Sequence, residues 1–330
     1  MTETMWAYQL SGPRQLDLIT TARSAESDLQ PGEILVETIV GGICGSDLSY
    51  FDGGLARPPL PLDHPSGAPV GGSLHEIVGV VRASRDPDLR VGARVVGWAT
   101  THQGLAELVI TTGTSVIEYG SEWSTREAVA LQSLACVIYA LDRISADFAG
   151  ATVAVIGLGP IGVLFSHVAK SRGAAHVIGV DRIDRRDLAS AFGVDEFVQA
   201  TAERWAAGLD DAARPEVVIE AIGHNTSTLV DAIEAVAPKG VVFYFGVPDQ
   251  DHYPFPMTRF FRKHLTLIGG VTGDRAGSLR KADQYAHEHP GLFARYLTHH
   301  FPIAEVQQAY EQATRPAPGQ LKITIGFDQQ

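Results

Sequence analysis

The stretch Val153-Ala-Val-Ile-Gly157-Leu-Gly159-Pro160-Ile161-Gly162, followed by a second apolar run that ends at Asp181, decides how this chain is read. An apolar strand that breaks into Gly-x-Gly-x-x-Gly and opens a helix supplies a tight turn, close backbone approach and free N–H groups. A dinucleotide pyrophosphate requires all three. His176-Val-Ile-Gly-Val180 reads as the next strand, and Asp181 stands at its C-terminal end, at the spacing expected beyond the glycines. A carboxylate there bonds the ribose hydroxyls and repels a 2′-phosphate, so NAD is expected over NADP. Arg182, Arg185 and Arg186 follow closely, either as a solvated helix start or as a partial reversal of that preference.

Outward from this motif, strand and helix patterns alternate. Thr152–Ile156, Pro160–Arg172, Val177–Asp181, Arg185–Phe192, Glu196–Val198, Ala202–Leu209, Val217–Glu220, Thr226–Val236, Val241–Phe245 and Leu265–Gly269 predict a parallel sheet with helices on both faces. Upstream, Ser124-Thr-Arg-Glu-Ala is a helix-start signal for an apolar helix running to about Arg143. A doubly wound, Rossmann-type domain is therefore placed at 125–270.

Residues 1–124 have a different character. Brief β-branched runs such as Ile34–Val40, Glu76–Val81, Ala93–Trp98 and Glu107–Ile110 are bounded by Gly, Pro and Asp, the pattern of a largely antiparallel, barrel-like domain. After residue 270, Ser278–Glu288 and Ile303–Ala313 read as helices, and Leu321-Lys-Ile-Thr-Ile-Gly-Phe ends the chain as a strand. That strand needs a partner sheet, and the first domain offers one. The expected organisation is a discontinuous domain, 1–124 with 271–330, into which the nucleotide domain is inserted.

Composition narrows the partners. The chain has 330 residues, 45% hydrophobic and 19% charged, enough for two cores. A net charge of -12 and a pI near 5.4 exclude the basic face that nucleic acid or an anionic membrane demands, leaving small molecules. Two distant cysteines, Cys44 and Cys136, make no disulfide framework, and no targeting or membrane-spanning segment is read, so a cytoplasmic location is expected.

Gly41-Gly-Ile-Cys44-Gly-Ser46-Asp47 and Leu74-His75-Glu76 form a second constellation, about thirty residues apart. Thiolate and imidazole are ligand types zinc prefers, and a catalytic zinc takes about three protein ligands with one position open. With Val91-Gly-Ala-Arg-Val, Gly104-Leu-Ala-Glu, the glycine fingerprint, Val241-Val-Phe-Tyr-Phe-Gly246 and the closing Leu-Lys-Ile-Thr-Ile, these segments occur in one recognisable order along the whole chain.

In that order the chain resembles the medium-chain dehydrogenase/reductase family, in its zinc-dependent alcohol and polyol branch. The resemblance implies a GroES-like β-rich catalytic domain beside the Rossmann sheet. It implies Cys44 and His75 as ligands of one catalytic zinc, Ser46 as the hydroxyl that relays the substrate proton, and Asp47 as a partner behind the metal. It also places Gly157, Gly159, Pro160, Ile161, Gly162, Asp181, Arg182, Gly246 and Lys322 at the coenzyme. Relatives are often dimers or tetramers joined through the edge of the nucleotide sheet.

The departures are specific. Where the polyol branch usually has a glutamate ligand, this chain has Gln132, and a neutral amide is a poor zinc ligand. Two outcomes follow: zinc held by Cys44, His75 and Glu76 with Gln132 reached through water, or a weakened or empty site. Leu74 replaces a usual glycine, and the segment Val96–Glu107 lacks the four cysteines of a structural zinc lobe, so none is expected. His64 is an extra loop histidine, either solvated or folded over the site.

Ser46, Tyr50, Phe51, Trp98 and Gln132 are candidate substrate-lining residues, with core packing the alternative for the aromatics. Such a lining suits a polyol, sugar or cyclitol better than an alkyl chain. Arg259 and Lys263, like Lys322, read as partners of phosphate or as solvated charges. The function expected is hydride transfer between NAD(H) and a secondary alcohol or ketone, with zinc polarising the oxygen. The alternatives are a metal-free enoyl or quinone reductase of the same fold, and a non-catalytic dinucleotide sensor.

Overall fold

A computed structural model describes residues 3–53, 69–144, 148–248 and 250–327. The chain begins with a hairpin of β1 (Thr4–Gly12) and β2 (Gln15–Ala22), then β3 (Glu33–Gly42), α1 (Gly45–Phe51), β4 (Glu76–Ser84), β5 (Arg94–Trp98), β6 (Leu108–Thr112) and β7 (Val116–Glu118). Two helices follow, α2 (Thr125–Ala128) and α3 (Ala130–Asp142). Next come β8 (Thr152–Ile156), α4 (Pro160–Ser171), β9 (His176–Asp181), α5 (Arg186–Ala189), β10 (Glu196–Gln199), α6 (Ala202–Ala207) and β11 (Val217–Glu220). After these lie α7 (Thr228–Ala235), β12 (Val241–Tyr244), α8 (Met257–Lys263) and β13 (Thr266–Gly269). The chain closes with α9 (Arg275–Glu288), α10 (Leu292–Tyr296), β14 (Leu297–Pro302), α11 (Val306–Ala313) and β15 (Lys322–Gly326).

These elements divide into two units. The second comprises Cys136–Gly273 with Pro316–Gly319, and the first comprises the rest. In the second, six parallel strands run in the order β10-β9-β8-β11-β12-β13, the order of a dinucleotide-binding sheet with its switch point between β8 and β11. Parallel strands are buried on both faces, and the strand side chains Ala154, Ile156, Val180, Val218 and Val242 pack with Trp205, Leu229 and Ile233 from α6 and α7 in one core. Each large aliphatic side chain so buried contributes about 1.5–3 kcal/mol.

In the first unit β3 is the central strand. It pairs antiparallel with β4, β6 and β15, and the sheet runs β14-β15-β3-β4-β5-β7. The terminal strand pairs with β3 of the early β domain, through Thr324↔Gly42 and Ile325↔Gly41. β14, which lies parallel to β15, was not anticipated, and neither was α8.

The helical boundary also differs from the expected 124/125. Ser124 caps α2 through the amide of Glu127, whose carboxylate accepts in turn from the Ser124 amide. The chain up to Ala135 nevertheless belongs to the first unit, because Val129 and Ser133 pack against Gly42 and Glu76.

Candidate functional site

Cys44 lies at the end of β3 and is the N-cap of α1, with its amide donating to Asp47 Oδ2 at 2.9 Å. Asp47 is fully buried in the first turn. Its other oxygen, Oδ1, accepts from His75 Nδ1 at 2.7 Å. One carboxylate therefore fixes both the cysteine backbone and the imidazole, and the proton held on Nδ1 leaves Nε2 as the nitrogen able to bind a metal. Burial opposes the charge on Asp47, but His75 and His102 outweigh it and hold the carboxyl down at about 2. Burial likewise opposes protonation of His75, and Asp47 raises it well above the ordinary imidazole range.

Glu76, the first residue of β4, completes the group. One ligand atom each from Cys44, His75 and Glu76 lie within 4.8 Å of one another. Zinc bonds of about 2.0–2.3 Å at tetrahedral angles place ligand atoms roughly 3.3–3.8 Å apart, so modest rotations close the set. Thiolate, imidazole and carboxylate are a zinc donor set. Glu76 Oε1 accepts from Ser133 Oγ at 3.3 Å, whereas Oε2 pairs with the ammonium of Lys322. An oxygen so placed can be shared with a cation, and the residues fit a zinc ion.

Support comes from further along the chain. Tyr310 on α11 donates to the Ser73 carbonyl at 2.6 Å, and Ser73 Oγ donates to the Asp47 carbonyl at 3.0 Å. Leu74 occupies the family's usual glycine position because its fully buried side chain packs in the core, close to Gly41 and in a cluster with Phe327. His102 was not singled out from the sequence. Its ring packs on His75 at 4.6 Å and on Tyr50 at 5.7 Å, and Nδ1 lies 3.6 Å from Asp47 Oδ1. No short motif marks it.

Ser46 is half-buried in the first turn of α1, two residues beyond the thiol. Gln132 is buried on α3 next to Ser133. Two aromatics belong to the core instead of a lining: Phe51 is fully buried against Tyr310, and Trp98 is buried beneath Arg275. Lys322 is a correction of a similar kind, since its ammonium is fully buried against Glu76 within this unit and meets a carboxylate, not a phosphate. Glu76 raises its pKa against the opposing effect of burial. His64 lies outside the described residues.

The second unit carries the glycine motif between β8 and α4. Gly157 follows β8 with φ +92°, a conformation that favours glycine. A Cβ on Gly162 would lie 1.7 Å from the Gly157 carbonyl oxygen, so the third glycine lets α4 start against the turn. Gly159 caps α4 with Pro160 at its first position, followed by Ile161, and a Cβ on Gly159 would meet nothing within 4 Å. A phosphate can approach that open backbone, and the residues fit a dinucleotide.

Asp181 ends β9, with Oδ2 accepting from the Leu158 amide and Oδ1 from the Ile183 amide, each within 2.9 Å. The arginines are now distinguishable. Arg185 is buried and donates to the Ala317 carbonyl at 2.8 Å, Arg186 pairs with Asp184, and Arg182 is exposed. Gly246 lies against Gly223 and Glu220 beyond β11 and β12. Arg259 pairs with Glu234, and Lys263 Nζ donates to the carbonyls of Ile233, Glu234 and Val236 at the end of α7.

Residues 30–134 match the alcohol dehydrogenase GroES-like domain, and residues 160–286 match the zinc-binding dehydrogenase domain. The chain belongs to the zinc-dependent medium-chain dehydrogenase/reductase family. This dehydrogenase is 27% identical to L-arabinitol 4-dehydrogenase from Talaromyces emersonii, covering 91% of this chain and 86% of that one. It is 24% identical to D-xylulose reductase from Saccharomyces cerevisiae, over 98% of each chain. The alcohol dehydrogenase of Thermus sp. ATN1 superposes with a TM-score of 0.77 at 25% identity, covering 98% of this chain and 99% of that one.

Proposed function

We propose that this dehydrogenase oxidises a secondary alcohol carrying further hydroxyls, of the polyol, sugar or cyclitol class, with NAD as hydride acceptor and one zinc ion at Cys44, His75 and Glu76. The observation that carries the reading is the group of half-buried Cys44 with buried His75 and Glu76, and Asp47 behind it, in a chain whose other unit bears a dinucleotide fingerprint ending in Asp181. The similarity to arabinitol and xylulose enzymes supports the substrate class.

When bound, zinc polarises the alcohol oxygen and lowers its pKa, and NAD accepts hydride from the carbinol carbon, giving ketone, NADH and a proton. The residues of the chain do the rest. Asp47 keeps the His75 proton on Nδ1 and the ring in one orientation. The Ser46 hydroxyl, two residues from the thiolate, hands the alcohol proton outward. Gln132, buried on α3, would meet a bound zinc through water and not as a direct ligand. The turn Gly157–Gly162 presents amides to the pyrophosphate, Gly246 lies beside it, and Asp181 holds the ribose hydroxyls. With Arg185 tied to Ala317 and Arg186 to Asp184, the charge left at the ribose favours NAD, and only Arg182 among these three is free to temper it.

The chain works as a homodimer or a higher oligomer in the cytoplasm. β13 is an edge strand, and Leu267 on it and Phe261 and Val271 around it are exposed apolar side chains. The described residues hold no disulfide, and among them no helix is long and apolar enough to cross a membrane. Sedimentation of the wild type and of Phe261→Asp tests the assembly, a monomeric wild type being the contrary result.

The test of function is a panel of polyols, sugars, cyclitols and simple alcohols assayed with NAD and with NADP. Turnover confined to polyhydroxylated substrates, with kcat/KM at least about tenfold higher for NAD, is expected. Equal use of alkyl alcohols would overturn the substrate class.

A further inference from the structure

Glu76 and Lys322 start two strands, β4 and β15, that flank opposite edges of β3. They meet across Gly42. The register sets Gly42 opposite Glu76 on one side and opposite Thr324 on the other. A Cβ on Gly42 would lie 2.4 Å from Glu76 Oε2 and 3.0 Å from Lys322 Cε, so the missing side chain is the space in which the two charges pair. Both residues are 1% exposed. Tyr296, fully buried, lies within electrostatic reach of both charges and of Cys44.

We propose that Lys322 is an internal counter-ion of the metal site, holding the Glu76 carboxylate in place when no zinc is bound and opposing zinc once it is. The inference rests on the zinc reading above. A buried carboxylate left alone is strongly destabilising, so the ammonium keeps the ligand set folded and charged without metal. A divalent ion on Cys44, His75 and Glu76 then shares Glu76 with a second cation in a dry site, where like charges repel strongly. Gly42 is thereby a requirement of the site.

The test is zinc affinity, measured by competition with a chromophoric chelator on metal-free wild type, Lys322→Met and Lys322→Arg, with thermal melts of each. Lys322→Met is expected to bind zinc at least about tenfold more tightly while its metal-free form melts earlier, and Lys322→Arg to restore both. Damage to the fold alone would weaken zinc binding, so the direction separates the two. Should metal-free Lys322→Met not fold, Glu76→Gln is compared with Glu76→Gln/Lys322→Met, and the double variant is expected to bind more tightly. Unchanged or weaker zinc binding on loss of Lys322 overturns the counter-ion role. A wild type that takes up no zinc overturns the metal reading itself.

Discussion

Replacing Asp47 by Asn removes one charge and almost no volume, which makes it a sharp probe of the site. The wild-type carboxylate accepts from the Cys44 amide and from His75 Nδ1. An Asn amide offers one oxygen and one NH2, so one partner faces a donor. If the NH2 faces Cys44, two donors oppose in a buried pocket. If it faces His75, the imidazole proton is driven to Nε2, the nitrogen the metal needs. The pKa of Asp47 falls from an ordinary 3.8 to about 2. A depressed carboxyl stabilises the fold above its unfolded pKa, and the benefit is lost as pH falls through its folded value, so the pair contributes about 2 kcal/mol at neutral pH. Loss of a residue behind a metal ligand weakens binding about 10–100-fold. Denaturant unfolding of the metal-free protein should therefore show Asp47→Asn less stable by about 2 kcal/mol at pH near 7, with the gap closing toward pH of about 2. Chelator competition should show the matching loss of zinc affinity. Wild-type zinc affinity in a folded Asp47→Asn protein would refute the role given to this carboxylate.

Asp181→Asn keeps one acceptor and removes the charge that faces a 2′-phosphate; KM for NAD should rise about tenfold and NADP turnover should improve, read from initial rates. Glu220 is buried at the end of β11, accepts from the Ile222 and Gly223 amides, and has its pKa raised above 4.5 by burial. Its contribution is full below 4.5 and lost as pH rises through the raised value. Thermal melts of Glu220→Gln should therefore match or exceed wild type at neutral pH and lose that advantage in acid. Lys263→Met strips the cap from three carbonyls at the end of α7 and should cost about 1 kcal/mol in denaturant unfolding.

The nucleotide unit was largely legible because its signals are local. β8, the glycine turn, α4 and β9 are contiguous, and the inner strands β8, β9, β11 and β12 are short apolar runs buried in the sheet. The Cys44, Asp47, His75 and Glu76 group was legible as a motif, though the arrangement that makes Asp47 serve both Cys44 and His75 emerges only in three dimensions. What escaped the sequence is long-range pairing. Lys322 stands far along the chain from Glu76, and nothing at either position announces the other, since the pair depends on the register of β15 and β4 about Gly42. His102 sits in a segment that reads only as lacking cysteines, yet the turn that carries it, with φ +57°, brings its ring onto His75. β14 escaped for a related reason: Leu297-Thr-His-His-Phe-Pro is polar, and its strand character comes from pairing with β15. Phe51 and Trp98 were ambiguous by type, because an aromatic that fills a core and one that lines a pocket look alike in sequence.

The most direct test of the account is metal-dependent turnover. Wild type and Cys44→Ser, purified with zinc present, are assayed for polyol-dependent NAD reduction together with their zinc content, then stripped by chelator and resupplied with zinc. One zinc per wild-type chain, activity that disappears on stripping and returns with zinc, and neither zinc nor activity in Cys44→Ser are predicted. Full activity in stripped wild type, or stoichiometric zinc in Cys44→Ser, would contradict the assignment of the Cys44–His75–Glu76 group as the catalytic metal site.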